Sequence, residues 1–113
     1  MIDVLDVVLK AISERKGENI VVYDVRTLTP YLDTMVVASS SNLRQNNAIA
    51  ANIRDRLKEA GYEGEIREEG TKESKWLLID LKDLVVHLFV NEERSVYGLD
   101  RLYEDVPFKT YDL

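Results

Sequence analysis

The stretch Trp76–Phe89, WLLIDLKDLVVHLF, decides the fold of this chain. Two short runs rich in aliphatic and β-branched residues are separated by the polar, turn-prone segment 80–83, a pattern typical of a β-hairpin. A turn centred in the middle of that segment predicts the cross-strand pairs Ile79 with Leu84, Leu77 with Val86 and Trp76 with His87.

Side chains alternate between the two faces of such a hairpin. One face is entirely aliphatic and is expected to pack against helices; it comprises Leu77, Ile79, Leu84, Val86 and Leu88. The other face mixes Trp, His and Asp with aliphatic residues; it comprises Trp76, Leu78, Asp80, Asp83, Val85, His87 and Phe89. A mixed face of this kind lies under a polar element or meets a partner. A sheet packed on both faces is the alternative.

The composition predicts one folded domain over residues 1–113. A chain of 113 residues has no room for a second core, and 45% hydrophobic residues with two prolines favour a globular protein. The chain has no cysteine, which excludes disulfides and thiolate metal sites and suits a reducing cytosol. There is no apolar run of membrane-spanning length, and the acidic start MIDVLD is unlike a signal peptide. We therefore expect a cytoplasmic protein with no membrane contact.

The charge balance argues against nucleic acid as the primary partner. The chain has 15 Lys and Arg against 21 Asp and Glu, a formal net charge of −6, which repels phosphate backbones. A basic protein is a better partner for such a surface. The alternative is that the acidity serves solubility alone.

The remaining pattern predicts a mixed five-stranded sheet with flanking helices, in the order α-β-β-α-β-β-β-α. Residues from Asn91 onward are expected to form one or two short helical turns interrupted near Gly98, followed by a loosely held tail. The other predicted elements are a helix from Ile2 to Arg15, strands Asn19–Val25 and Asp33–Ser39, a helix Asn42–Ala60, a short edge strand within Tyr62–Gly70, and the tail Phe108–Leu113.

Arg44 lies in the first turn of the second predicted helix, where the helix dipole disfavours a cation without an acidic partner or a bound anion. This placement suggests a contact residue. The alternative is an exposed arginine whose aliphatic stem covers apolar surface.

The candidates for catalysis do not form a recognisable active site. Asp80 and Asp83 are three residues apart with Lys82 between them, which is typical of turn formers rather than of a metal-binding pair. The single histidine, His87, has no cysteine, second histidine or nucleophile elbow to act with, and is more typical of a sheet residue. The segment SSSN at residues 39–42 lacks the glycines of a phosphate loop. We expect a binding module without catalytic residues, metal or cofactor.

Several motifs in order along the chain resemble the ribosomal silencing factor family, also called RsfS or Iojap-like. They are Asp24-Val25-Arg26 with Leu28-Thr29, Asp33 with Met35-Val36-Val37-Ala38-Ser39, Ser41 with Arg44-Gln45, Glu69-Gly70, Trp76-Leu77-Leu78-Ile79-Asp80, Asp83-Leu84-Val85-Val86-His87, and Arg94, Tyr97, Leu99 and Leu102. The chain departs from the usual family pattern at Thr34, Ser40 and Tyr103. These departures concern details of the contact surface.

The resemblance implies a nucleotidyltransferase-like α/β fold without enzymatic activity. It further implies binding to the large ribosomal subunit through large-subunit ribosomal protein number fourteen, which keeps the small subunit from joining and lowers translation when nutrients are short. Members of the family can also pair as homodimers. A residual nucleotidyltransferase that uses Asp80 and Asp83 is the alternative function.

We expect the partner-binding residues to include aromatic and arginine anchors ringed by polar groups, because such anchors dominate binding energy at interfaces. The predicted anchors are Trp76, His87, Tyr97, Leu99 and Leu102, with Asp80 and Arg44 as polar contacts. For Trp76 the alternative is simple core packing.

Overall fold

The computed structural model describes residues 2–112, which form one six-stranded sheet with helices on both faces. No helix in this range is both long and apolar enough to cross a membrane. In chain order the elements are α1 (Val4–Glu14), β1 (Glu18–Asp24), β2 (Thr34–Ser40), α2 (Leu43–Glu59), β3 (Arg67–Glu69), β4 (Trp76–Asp80), β5 (Leu84–Val90), α3 (Glu93–Tyr97), α4 (Leu99–Leu102) and β6 (Phe108–Tyr111).

The sheet is mixed, as the sequence predicts. Its strand order is β3-β4-β5-β2-β1-β6, and β2 pairs in parallel with β5 while every other pair is antiparallel. A parallel pair needs a long crossover connection, which here includes α2. The crossover brings the end of β2 beside the hairpin of β4 and β5, so that the hairpin lies inside the sheet rather than at its edge.

The hairpin register differs from the predicted one by two residues. Trp76 lies opposite Phe89, and His87 lies opposite Leu78. The turn is displaced because Leu81, assigned from the sequence to the turn, is buried in the core, and its amide donates a hydrogen bond to the carbonyl of Leu84 (2.9 Å). A shift of two residues leaves every side chain on its predicted face, whereas a shift of one would have exchanged the faces.

The aliphatic face of the hairpin packs under α1 and α2, as predicted. Both helices bury an apolar stripe against it, with Val8 and Ile12 from α1 and Ile49, Ile53 and Leu57 from α2 fully buried. Asn42 ends the β2–α2 connection as the N-cap, and its side chain accepts a hydrogen bond from the Gln45 amide (2.8 Å). The predicted start of this helix is therefore confirmed.

One prediction about the edges of the sheet is confirmed and one needs correction. The short edge strand predicted within 62–70 is β3, which is three residues long and pairs with β4 at the edge of the sheet, while the hydroxyl of Tyr62 donates to the carbonyl of Leu81. The segment Phe108–Tyr111, predicted as a loose tail, forms β6 and pairs with β1. This sixth strand covers what would otherwise be an open edge of β1, and Tyr111 packs against the helix-side core. Leu113 lies outside the described residues.

The opposite face of the sheet carries a second, smaller core. Tyr23, Met35, Val37 and Phe89 are buried there beneath the C-terminal segment 93–107. The sheet is thus packed on both faces, but the second cover is short and leaves part of the β4–β5 surface accessible.

Candidate functional site

Four aromatic rings meet on the second face of the sheet and form what we call the aromatic cluster: Trp76, His87, Phe89 and Tyr97. The first three come from β4 and β5 and share a face because of strand alternation. Tyr97 is the last residue of α3, and its ring centroid is 4.3 Å from that of Trp76. Phe89 stacks under Trp76 at 5.3 Å. The predicted proximity of Trp76 and His87 is correct, although the two residues are not directly opposite each other.

A hydrogen bond joins Trp76 to His87 within the cluster. The indole Nε1 donates to His87 Nδ1 at 3.1 Å, so this imidazole nitrogen must be unprotonated. Burial lowers the pKa of His87 from 6.5 to about 4, because a charged imidazolium would lose its hydration there. At neutral pH the cluster is therefore uncharged, which suits an apolar docking surface.

This burial makes stability depend on pH in a defined window. Between pH 6.5 and about 4 the unfolded chain protonates His87 whereas the folded chain does not, so acid favours unfolding. We expect the free energy of unfolding to fall by about 3 kcal/mol across that window, given about 1.36 kcal/mol per pKa unit. Urea unfolding followed at several pH values measures the loss.

The matched comparison is His87→Gln, which removes the titrating group and leaves every carboxylate in place. Subtracting its pH profile from that of the wild type isolates the histidine contribution. Parallel profiles for the two proteins would show that His87 keeps an ordinary pKa.

The segment after β5 carries exposed apolar side chains, of which Tyr97 belongs to the cluster and Val96 precedes it in α3. Tyr97 is 52% exposed, Leu102 is 69% exposed and Val96 is 72% exposed. Leu99 points the other way and packs on the second core. Of the predicted anchors, Trp76 contacts both His87 and Tyr97, while Leu102 lies exposed on α4. His87 is buried, so it lines the cluster from within.

The two predicted polar contacts lie away from the aromatic cluster. Asp80 ends β4 at the opposite end of the strand from Trp76, and its carboxylate accepts a hydrogen bond from the Lys82 amide (2.8 Å) as part of the turn. Arg44 lies on the helix-covered side, where it lines a groove with Lys72 and Leu77. Asp80 is on the same face of the sheet as Trp76 but four residues away along the strand, whereas α2 and the sheet separate Arg44 from the cluster.

The sequence pattern assigned no role to exposed Val96 or to the ion pair of Arg94 with Asp100. Val96 is exposed beside Tyr97, and only its apolar character in a polar segment could have indicated a role. Arg94 and Asp100 form a partly buried ion pair beneath the docking residues. Arg94 was visible only as part of the family pattern, and nothing local in the sequence pairs it with Asp100.

Asp80, a candidate for catalysis in the sequence, accepts a hydrogen bond within the turn after β4, and a carboxylate of β1 is held in an ion pair. Asp24 is paired with Arg26 at 2.7 Å, and the hydrogen bonds from Arg26 lower the pKa of this carboxyl. Within residues 2–112 there is no group of three or more His, Cys, Asp or Glu side chains that could hold a metal ion. What the described residues offer is the aromatic cluster, whose partly exposed rings another molecule can contact.

Comparison with known proteins points to one family. The family profile described as "Ribosomal silencing factor during starvation" matches residues 1–113. The Bacillus subtilis protein named "Ribosomal silencing factor RsfS" is 32% identical over 109 residues, which covers 96% of this chain and 92% of that protein. The maize protein named "Protein Iojap, chloroplastic" is 31% identical over 106 residues, covering 89% of this chain and 46% of the plant protein.

Solved structures agree with the fold. A crystal structure of a Chromobacterium violaceum protein matches with a TM-score of 0.82 and 33% identity, covering 89% of this chain and 83% of that one. A Bacillus halodurans crystal structure matches with a TM-score of 0.78 and 31% identity over 96% of both chains. The six-stranded α/β arrangement is therefore similar to that of experimentally determined proteins.

Proposed function

Because this chain belongs to the ribosomal silencing factor family, we propose that it binds large-subunit ribosomal protein number fourteen and so keeps the small ribosomal subunit from joining the large one. The family match supports a ribosome-associated silencing role and a regulatory rather than an enzymatic protein. Repression of translation under nutrient limitation is the physiological part of the proposal.

The observation that carries the proposal is a group of apolar side chains that the fold leaves exposed or half-exposed. We call it the docking surface and define it as Trp76, Val96, Tyr97 and Leu102. The predicted anchor His87 is only 8% exposed, so in this proposal it holds the Trp76 indole through their hydrogen bond and is not part of the surface itself. The docking surface combines a half-buried indole and an exposed tyrosine with aliphatic side chains, the composition that provides anchors at protein interfaces. Exposed apolar residues grouped in this way mark an interaction site. Leu28, Tyr31 and Phe108 are exposed elsewhere, outside the aromatic cluster.

Charge supports a basic protein as the partner. The net charge of −6 favours encounter with a positively charged ribosomal protein and disfavours direct docking on RNA. Complementary charge speeds association with the partner, and the aromatic anchors, once desolvated, slow dissociation. Asp80 remains a proposed polar contact on the same face of the sheet as Trp76, and Arg44 remains a proposed contact that lies on the helix-covered side, outside the docking surface.

The proposed mechanism requires no chemistry. The folded chain measures 34 × 31 × 25 Å, and a body of this size seated on a subunit-joining surface excludes the partner subunit by volume. Joining is suppressed when the protein is present above its dissociation constant for the large subunit, since bound and joined states compete for one surface. In this proposal the chain acts in the cytoplasm as one domain of nucleotidyltransferase-like fold that is not used for catalysis.

The same proposal includes self-association of the free protein. An exposed apolar surface that awaits a partner is also available to a second copy, so two chains are expected to pair through the docking surface. Pairing would then compete with ribosome binding. Light scattering over a range of protein concentrations, with and without the purified ribosomal protein, measures both equilibria.

Sucrose-gradient sedimentation tests the proposed function directly. Purified large subunits mixed with this protein should carry it into the large-subunit fraction, and later addition of small subunits should give fewer joined ribosomes. Small subunits alone serve as the control for unspecific sedimentation. Efficient joining in the presence of saturating protein, or no co-migration even at low salt, contradicts the proposal.

A further inference from the structure

We propose that Arg94 is the positioning residue of the docking surface. Its guanidinium fixes the segment 93–103, which we call the C-terminal cap, in the one orientation that presents Val96, Tyr97 and Leu102 to a partner. The inference rests on the proposed function, because it assigns a role in docking to a residue that lies beneath the docking side chains.

The C-terminal cap cannot hold its position by its own structure. It consists of α3 with five residues and α4 with four, joined at Gly98 with a φ of 66°, and neither helix has a fully buried residue. Helices this short are unstable by themselves, because starting a helix costs more free energy than the hydrogen bonds of one or two turns recover. The orientation of the cap must therefore come from its contacts with the sheet.

Arg94 provides a set of such contacts from a mostly buried position. Nε and Nη2 donate to the two carboxylate oxygens of Asp100 at 2.8 and 3.0 Å, which ties α3 to α4. Nη1 donates to the carbonyl of Asn19 at 2.5 Å and to Ser39 Oγ at 2.9 Å, which ties both helices to β1 and β2. The Arg94 side chain is only 13% exposed. A planar fork with several donors is needed here, and lysine could not replace it.

The backbone of β1 is shaped to receive this guanidinium. The pairing of β1 with β2 slips by one residue between Glu18 and Val21, so that Asn19 and Ile20 both lie opposite Ala38. Asn19 has a φ of 52°, an uncommon conformation that asparagine tolerates better than most residues. A bulge of this kind redirects a peptide group out of the ladder. In this protein the redirected carbonyl of Asn19 accepts the hydrogen bond from Arg94.

Tyr23 completes the network from the sheet side. Its hydroxyl donates to Asp100 Oδ1 at 2.5 Å, and its ring is buried in the second core. Burial would raise the pKa of the Asp100 carboxyl, but the hydrogen bonds from Arg94 and Tyr23 outweigh burial and lower that pKa. Burial and the neighbouring Asp100 raise the pKa of Tyr23. The carboxylate therefore stays charged and the phenol stays protonated at neutral pH, which keeps all the bonds intact.

In this proposal Arg94 and Tyr23 position the docking side chains, whereas Tyr97 contacts the partner directly. The guanidinium of Arg94 points towards the sheet and the hydroxyl of Tyr23 points from the sheet towards Asp100. Tyr97 follows Arg94 by about one helical turn, and its ring packs on Trp76 at 4.3 Å. Removing one partner of a hydrogen-bonded ion pair leaves the other without compensation. Loss of Arg94 should therefore release the C-terminal cap and misplace Tyr97 and Leu102 while the sheet remains folded.

The experiment combines binding with local hydrogen exchange in the full chain. Arg94→Lys should weaken co-sedimentation with large subunits by about tenfold or more, because the fork is lost while the charge is kept. In the free variant the amides of Gly98, Leu102 and Tyr103, which are protected by hydrogen bonds within the cap, should exchange faster than in the wild type. Amides of β2 and β5 should keep their wild-type rates.

Two further variants control the result. Tyr23→Phe removes one hydroxyl only and should give a smaller loss in the same direction, about threefold. Arg26→Lys removes the fork of a comparable arginine–aspartate pair that is exposed and outside the cap, and it should change neither binding nor cap exchange.

Wild-type binding by Arg94→Lys would overturn the inference. So would weakened binding with unchanged cap exchange, because Arg94 would then act as a direct contact. If the wild type itself fails to co-sediment, the proposed function fails, and the exchange rates of the free protein still decide whether Arg94 holds the cap.

Discussion

Replacing Trp76 with alanine should weaken binding to the large ribosomal subunit by roughly 30-fold to 1000-fold, the range found for central aromatic anchors. The indole is half-buried between the sheet and the cap, where it contacts Phe89 and Tyr97 and donates a hydrogen bond to His87. Truncation removes the largest ring of the docking surface and leaves Tyr97 in contact with Phe89 alone among the rings of the cluster. Co-sedimentation over a range of protein concentrations measures the change in affinity.

The matched control for this substitution is Tyr31→Ala. Tyr31 is 85% exposed and lies in the β1–β2 connection, outside the aromatic cluster, so its removal should leave binding unchanged. Trp76→Phe keeps an aromatic ring but loses the donor to His87, and it should fall between the wild type and the alanine variant. Undiminished binding by Trp76→Ala would show that this indole serves core packing alone.

Replacing Phe89 with alanine should lower the free energy of unfolding by about 3–5 kcal/mol, the usual cost of emptying a buried phenylalanine site. Phe89 is fully buried in the second core and lies beneath Trp76 and Tyr97. A loss of this size is a large share of the stability of an ordinary domain, which is about 5–15 kcal/mol. Urea unfolding measures the loss.

Leu57→Ala separates the two roles of Phe89. Leu57 is equally buried, but it lies on the helix-covered face, and its truncation should cost about 2–5 kcal/mol. Once binding is corrected for the folded fraction, the Phe89 variant should still bind large subunits less tightly, whereas the Leu57 variant should bind like the wild type. Equal affinities for the two folded variants would mean that the aromatic cluster does not depend on Phe89 for its shape.

In the hairpin, the local sequence pattern predicted the faces of the side chains but not the register of the strands. Alternation assigned every side chain of β4 and β5 to its correct face, because the period of two is a property of the extended backbone itself. The register was wrong by two residues, because it depended on whether Leu81 belonged to the turn or to the core. That choice is decided by the space available under α1 and α2, which no local pattern describes.

In the C-terminal segment, the local sequence pattern did not predict the sixth strand. Residues 108–111 read Phe-Lys-Thr-Tyr, four positions without a regular alternation of apolar and polar side chains, which do not distinguish a strand from a loose tail. Their assignment as β6 comes from β1, a strand about ninety residues earlier, whose unpaired edge they satisfy. The sheet therefore has six strands where the sequence predicted five.

The sequence likewise predicted only part of the candidate site. Trp76, His87 and Tyr97 were predicted from residue type, strand alternation and the family pattern, and the structure brings them into contact. Asp80 and Arg44 were predicted with them but lie elsewhere, since a strand length separates one from Trp76 and the sheet separates the other. Residue type can suggest an anchor, but it carries no information on which anchors share a surface.

The amino-acid sequence by itself determined the helices, the hairpin, its two faces and the family, because each of these depends on periodicity or on ordered motifs along the chain. Only the tertiary structure decided the register of the hairpin, the sixth strand and the network that joins Arg94, Asp100 and Tyr23. Tyr23 and Asp100 are 77 positions apart, and their contact exists only after the sheet has formed and the C-terminal cap has closed over it. Contacts of that range depend on the whole fold, which is why the residue proposed to position the docking surface could not be assigned that role from the sequence.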